Sequence, residues 1–98
     1  MGIGEWRAEI DEIDCELLRL LNRRARLSAR IAGAKLAAGL PLRDPEREQA
    51  VVARACRINA GPLDERAVAK IFRRIMRESR AVQARFMAAR ADAEREVA

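Results

Sequence analysis

The stretch LLNRRARLSARIAGAK, residues 20–35, has the spacing of an amphipathic α-helix, but a charged side chain interrupts its apolar face. Taking every third or fourth residue gives the series Trp6, Ile10, Ile13, Leu17, Leu20, Arg24, Leu27, Ile31 and Ala34. Arg24 therefore stands where a leucine is expected, and Lys35 lies beside the end of the same face. Because an unpaired buried cation is costly, the pattern indicates either side chains that reach the protein's edge or cations that bind an anion.

The composition favours a small all-α protein. Half of the 98 residues are hydrophobic but only 3% are aromatic, so a core must be built from aliphatic side chains and alanine. No segment alternates with period two, which argues against strands. We expect a single domain over residues 1–98, built from a long, a short and a long helix.

The first helix is predicted to run from Ile3 or Glu5 to about Ala38, since Gly39 and Pro41 stop it. A helix of more than thirty residues extends roughly 50 Å, which is too long for a small isolated globule. We therefore expect it to pair along its length with another long helix.

The second helix is predicted to begin at Pro45, with Asp44 as its N-cap. After a loop around Gly61-Pro62, the third helix is expected to begin near Leu63 or Asp64. Its polar tail, residues 88–98, is expected to be helical or frayed.

The charge distribution limits the partners and the chemistry. The formal net charge is +5, which allows nucleic acid, a membrane surface or a small anion, but no run of five cations occurs. Cys15 and Cys56 are far apart and histidine is absent, so we expect no metal site. A disulfide between the two cysteines stays open, and two free thiols in a reducing cytosol are the simpler interpretation. Without a leader or an apolar segment of membrane length, a cytoplasmic protein is expected.

The third helix has the same irregularity as the first, because Ser79 and Gln83 fall on its apolar face one turn apart. An internal polar bridge would explain these two, and a reach to the rim would explain Arg24 or Lys35. With all four on inward faces, and Glu48 on a helix that could lie beside them, we favour a pocket for an anionic ligand.

The position of Arg7 bears on the number of chains at that pocket. Arg7 precedes Arg24 by 17 residues, about 25 Å along a helix, which is more than a small ligand spans. If Arg7 contributes, it must come from a second copy of the helix running the other way, in a two-fold dimer. Alternatively, Arg7 simply pairs with Asp11 one turn on.

Motifs along nearly the whole chain resemble one family. The segments WRAEIDEIDCELLRLLNRRARLSARIAGAKLAAGLPLRDPERE and IFRRIMRESRAVQ contain R-x-x-I-x-x-[IL]-D, L-x-x-R-x-x-[LM], a downstream lysine, R-D-x-x-R-E and E-S-x-x-x-Q in order. This arrangement is similar to the all-α chorismate mutase family over about residues 6–87. The resemblance implies an intertwined homodimeric bundle of three-helix chains that acts on chorismate, in the stand-alone, short form of the family.

The resemblance also implies roles for individual residues. Arg24 and the second chain's Arg7 would hold the two carboxylates of chorismate, while Lys35 and Gln83 would donate hydrogen bonds to its ether oxygen. Glu48 would bind the ring hydroxyl with Asp44 nearby. The remaining polar wall would consist of Arg47 and Ser79, and Arg43 belongs to the same motif.

The implied reaction needs no cofactor, because the conversion of chorismate to prephenate is a unimolecular [3,3] rearrangement. Two relatives of the same fold remain as alternatives, an isochorismate-pyruvate lyase and an aminodeoxychorismate mutase. The alternative from a different class is a basic helical module that binds nucleic acid or protein. We expect neither nucleic acid nor a membrane as partner, and docking on another shikimate-pathway enzyme stays open.

Overall fold

The computed structural model describes residues 2–97, which form three α-helices and no strand. Helix α1 spans Ile3–Ala37, α2 spans Pro45–Ile58 and α3 spans Glu65–Val97. The all-α class and the long–short–long order are therefore confirmed. Met1 and Ala98, the ends of the predicted domain, lie outside the described residues.

A glycine fixes the end of α1. Gly39 has a φ of 70°, a left-handed conformation that glycine adopts without steric cost. Its amide donates to the Leu36 carbonyl at 3.2 Å, and the Leu40 amide donates to the Lys35 carbonyl at 2.8 Å. These two bonds form a Schellman motif, which satisfies carbonyls left over at the helix end. The motif ends α1 just after Lys35.

Aspartate side chains begin the other two helices. Asp44 Oδ1 accepts a hydrogen bond from the Arg47 amide at 3.0 Å, and Asp64 Oδ1 accepts one from the Ala67 amide at 2.7 Å. Each bond satisfies an amide that has no partner within its helix. Each carboxylate also interacts favourably with the positive N-terminal end of the helix dipole. The cap at Asp44 fixes the first turn of α2, which carries Glu48.

Helix α3 continues through the polar tail to Val97, so the helical alternative is the one observed for the described residues. The tail is rich in alanine, which has the highest helix propensity. Ion pairs within the helix join Arg90 to Glu94 at 3.7 Å and Arg95 to Asp92 at 2.6 Å. The helix propensity of alanine and these short-range ion pairs explain why the tail is helical and not frayed.

The buried core is thin. Helix α3 packs against both α1 and α2, which do not pack on each other within residues 2–97. The buried apolar residues of this part of the chain are Ala29, Ala32, Ala55, Val68, Ala69 and Met76. Small side chains let helices approach closely but remove little apolar surface from water.

The N-terminal half of α1 projects from the rest of the chain, and every residue from 3 to 23 is exposed. Its exposed apolar side chains include Trp6, Ile10, Ile13, Leu17 and Leu20. Each of these five exposes between 44% and 57% of its surface. The radius of gyration is 17.5 Å, whereas a compact chain of this length has about 13 Å. A continuous apolar face of this kind marks an interaction surface.

Two further features concern membranes and thiols. Over the residues that the structure describes, no helix combines the length and apolar character that a membrane span requires. Cys15 is exposed and Cys56 is half-buried, and both are free thiols.

Gly33 lies within α1, where glycine lowers helix stability, and neither close packing nor a positive φ requires a glycine there. A Cβ built at Gly33 would meet only the end of the Arg90 side chain, at an ordinary contact distance of 3.6 Å. We expect Gly33→Ala to raise the free energy of unfolding by about 1 kcal/mol, because alanine has the higher helix propensity. Chemical denaturation measures this, with Ala34→Gly as the reciprocal control. A destabilised Gly33→Ala variant would show that the space is needed.

Candidate active site

The polar residues on the apolar faces of α1 and α3 meet at one small cavity. It is a partly open cavity of about 130 Å³ between the second half of α1, the start of α2 and the middle of α3. Its lining includes six of the eight predicted binding residues, namely Arg24, Lys35, Arg47, Glu48, Ser79 and Gln83. These side chains interrupt the apolar faces because they line a cavity between the helices, and Arg24 and Gln83 find polar partners on the facing helix.

Two hydrogen bonds join α1 to α3 at this cavity. Arg24 Nη1 donates to Ser79 Oγ at 3.4 Å, and Gln83 Nε2 donates to the Ser28 carbonyl at 3.1 Å. These are the internal polar contacts that the sequence allowed for Ser79 and Gln83. They use only part of the donor capacity, since a guanidinium has five N–H groups and a side-chain amide has two. Arg24 and Gln83 can therefore donate to a ligand as well.

The cavity is strongly cationic. Four cations line it, Arg24, Lys35, Arg47 and Arg80, against the single carboxylate of Glu48. Among residues 2–97, the half-buried Lys35 and the exposed Arg47 have no salt-bridged carboxylate. Cations left without counter-charges around a cleft attract anionic ligands.

Two arginines flank the Glu48 carboxylate. Arg80 Nη1 donates to Glu48 Oε1 at 2.5 Å, and Arg43 Nε lies 3.8 Å from Oε2. The first contact is a charge-assisted hydrogen bond, whereas the second is too long for one. Because the Glu48 side chain is only 25% exposed, solvent screens this pair incompletely. Arg80 therefore restrains Glu48 at one wall of the cavity.

Two predicted residues do not line the cavity. The Asp44 carboxylate caps α2 through the Arg47 amide, so in this geometry it orients the helix that carries Glu48 and Arg47. Arg7 lies on the exposed half of α1, about 25 Å of helix away from Arg24.

The sequence reasoning missed Arg80 and Ser28, which also line the cavity. Arg80 lies four residues after Met76 and three before Gln83, which places all three on one face of α3. Ser28 lies four residues after Arg24. Helical spacing from the recognised residues was the available signal in both cases.

A larger groove of about 1490 Å³ runs between α2 and α3. Glu48, Met76 and Arg80 line both this groove and the small cavity. Neither Lys35 nor Gln83 lines the groove, so the two residues predicted to donate to the ether oxygen lie at the smaller cavity alone.

The protein is all-helical with a cationic cavity between its helices, and comparison with known families gives its class. The model of the family "Chorismate mutase type II" matches residues 6–84. The chain therefore belongs to the type II chorismate mutase family, as its motifs indicated.

Relatives and solved structures agree with this assignment. The chain is 33% identical over 86 residues to a chorismate mutase of Methanocaldococcus jannaschii, covering 87% of each protein. It is 42% identical over 78 residues to a bifunctional chorismate mutase/prephenate dehydratase of Aquifex aeolicus, covering 76% of this chain and 22% of that protein. The chain thus spans about a fifth of the length of such bifunctional relatives.

The fold is also that of a solved chorismate mutase. The structure of chorismate mutase (form II) from Thermus thermophilus aligns with a TM-score of 0.82 at 35% identity. The alignment covers 85% of this chain and 94% of that one. The three-helix arrangement is therefore shared over nearly the whole of the Thermus chain.

Proposed function

We propose that this protein catalyses the [3,3] rearrangement of chorismate to prephenate. The observation that carries the proposal is the convergence of Arg24, Lys35 and Gln83, from two helices, on one cationic cavity beside Glu48. Chorismate carries two carboxylates, and its ether oxygen gains negative charge as the C–O bond breaks. The cavity offers cations for the carboxylates and N–H donors for the oxygen.

Individual roles follow from the resemblance and the geometry together. Arg24 binds one carboxylate, and Lys35 and Gln83 donate hydrogen bonds to the ether oxygen. Glu48 accepts a hydrogen bond from the ring hydroxyl. Ser79 and Arg47 complete the polar wall, while Asp44 acts by capping the helix that presents Glu48.

The required rate enhancement is within reach of these groups. A 10⁶-fold acceleration corresponds to about 8 kcal/mol. One preorganised donor aimed at developing charge supplies roughly 3 kcal/mol. Lys35 and Gln83 together supply most of the requirement, and the arginines hold the enolpyruvyl arm over the ring. The reaction has no step that calls for a nucleophile, a metal or a cofactor.

We propose further that the active unit is an intertwined homodimer. The cavity of one chain holds about 130 Å³, below the roughly 300–1,000 Å³ usual for small-molecule sites. A second chain would cover the exposed apolar face of α1 and bring its Arg7 to the substrate's other carboxylate. One two-fold dimer would therefore both bury the apolar face of α1 and complete the wall of the cavity.

We expect Leu17→Asp to dissociate this dimer, because it places a charge in the middle of the apolar face. The matched control is Cys15→Asp, which adds the same charge on the opposite side of α1. Sedimentation velocity should give a dimer for the wild type and Cys15→Asp, and a smaller or unfolded species for Leu17→Asp. A monomeric wild type would refute the dimer.

Turnover of chorismate tests the proposed activity. The purified protein is incubated with chorismate and, separately, with isochorismate. The loss of substrate absorbance is followed, and the product of each reaction is identified. Formation of prephenate is the expected result. Pyruvate from isochorismate would assign the lyase activity, and no turnover of either substrate would favour a basic binding module. A cytoplasmic location stays a prediction, and docking on another enzyme of the pathway stays open.

A further inference from the structure

We propose that Arg80 is a positioning residue that holds the Glu48 carboxylate for a neutral hydroxyl and discriminates against a substrate with an ammonium group at that place. The inference rests on the proposed function and deepens it, because it names the group that selects between two related substrates. Arg80 lies inside the E-S-x-x-x-Q motif, but at a position where the motif specifies no residue.

The contact itself is specific. Arg80 Nη1 lies 2.5 Å from Glu48 Oε1, and the two residues are 32 positions apart on different helices. The Arg80 side chain is 36% exposed and that of Glu48 is 25% exposed. Other ion pairs, such as Arg74 with Glu78 and Arg90 with Glu94, join neighbouring turns of one helix at the surface. The Arg80–Glu48 pair differs from them because it joins two helices and holds a carboxylate at the wall of the cavity.

The charge balance sets the preference for a hydroxyl. Glu48 is the only carboxylate lining the cavity among the described residues, so it alone could attract an ammonium group. Arg80 offsets that charge, and Arg43 adds a second cation 3.8 Å from the other oxygen. An ammonium placed against Glu48 would be repelled by both guanidiniums. A hydroxyl is not repelled, and the carboxylate keeps lone pairs free to accept its hydrogen bond.

Removing the charge of Arg80 should therefore make the Glu48 side chain more mobile and weaken the site's preference for a hydroxyl over an ammonium group. Arg80 lines both the small cavity and the larger groove, so a shortened side chain would also open the wall between them. Methionine is the suitable replacement, because it removes the charge and the donors but keeps a long, unbranched side chain, although one shorter than arginine. Lysine keeps the charge but cannot form the planar guanidinium contact.

The experiment compares chorismate with 4-amino-4-deoxychorismate, whose amine is protonated at neutral pH. Values of kcat and KM are measured for the wild type, Arg80→Met, Arg80→Lys and the control Arg77→Met. Arg77 lines the larger groove but not the cavity, and it is exposed. For Arg80→Met we expect kcat/KM for chorismate to fall by about tenfold or more, the scale of a hydrogen bond between charged groups. The amino-to-hydroxyl ratio of kcat/KM should rise by a similar factor.

Two controls separate charge from structure. Arg80→Lys should keep most of the wild-type discrimination, and Arg77→Met should match the wild type on both substrates. Wild-type discrimination should also shrink as the pH rises through the pKa of the substrate amine, because a neutral amine is not repelled. The other cations of the cavity also repel an ammonium, so the decisive comparison is with Arg80→Met, in which this decrease should be smaller. A purely structural role of Arg80 would leave the decrease unchanged.

An unchanged substrate ratio in folded Arg80→Met would overturn the inference, as would an equal shift in Arg77→Met. If Arg80→Met does not fold by circular dichroism, Arg80→Gln provides the same comparison. A wild-type protein that prefers the amino substrate would also overturn it. A wild-type protein inactive on both compounds would instead refute the proposed function, so the two failures are distinguishable.

Discussion

Lys35→Ala is expected to lower kcat for chorismate by roughly 10²–10³-fold, the cost of removing one preorganised donor from developing negative charge. Lys35 is half-buried at the cavity and has no carboxylate partner among the described residues, so its charge is available to the substrate. Because the ammonium acts mainly in the transition state, kcat should fall more than KM rises. Steady-state kinetics with chorismate measure both.

The chain offers a matched control for this variant. Lys35 and Lys70 are its only lysines, and Lys70 is exposed on the larger groove, outside the cavity. Lys70→Ala removes the same charge from the whole protein and should leave kcat within about twofold. Both variants should remain helical dimers. A folded Lys35→Ala protein with nearly normal kcat would contradict the assigned role.

Mixing two inactive variants should restore activity if each site combines two chains. Arg7→Ala and Lys35→Ala are each expected to be nearly inactive. In a mixed dimer, one of the two sites combines an intact Lys35 with an intact Arg7 from the other chain. Equal amounts, after complete exchange of subunits, should recover roughly a quarter of wild-type activity by random pairing. Activity is measured against the time of mixing.

The control for this experiment combines two substitutions at residues that one chain contributes to the same site. Lys35→Ala mixed with Gln83→Ala should stay inactive, because each site of the mixed dimer then still carries one lesion. Continued inactivity of the Arg7→Ala and Lys35→Ala mixture, despite exchange verified by mass spectrometry of tagged chains, would show that Arg7 does not act across the interface.

The helices could be predicted because local chemistry determines their ends. Asp44 and Pro45 start α2, and Gly39 stops α1, through contacts within a few residues of sequence. The tail of α3 was less certain, since short-range ion pairs and alanine propensity are individually weak. Its continuation to Val97 reflects their sum.

The R-D-x-x-R-E motif pointed to Arg47 and Glu48, and the rest of the cavity could be predicted only where a polar residue broke an apolar pattern. Arg24, Lys35, Ser79 and Gln83 stood out for that reason, and the structure places all four at the cavity. Arg80 did not stand out, because it is one arginine among many in α3. Its importance depends on Glu48, which approaches only when α2 packs on α3.

Asp44 illustrates the opposite difficulty. Its place in the R-D-x-x-R-E motif suggested a substrate contact, but the same carboxylate is the best N-cap at the start of α2. Sequence alone does not separate these roles. The bond from the Arg47 amide to Asp44 Oδ1 shows the capping one.

The most direct test of the account is a crystal structure of the protein with a bicyclic ether dicarboxylate that mimics the transition state. We expect two intertwined chains, with the ether oxygen within hydrogen-bond distance of Lys35 Nζ and Gln83 Nε2. One carboxylate should contact Arg24 and the other Arg7 of the partner subunit. A mimic bound in the groove between α2 and α3, or with its ether oxygen away from Lys35, would contradict the account.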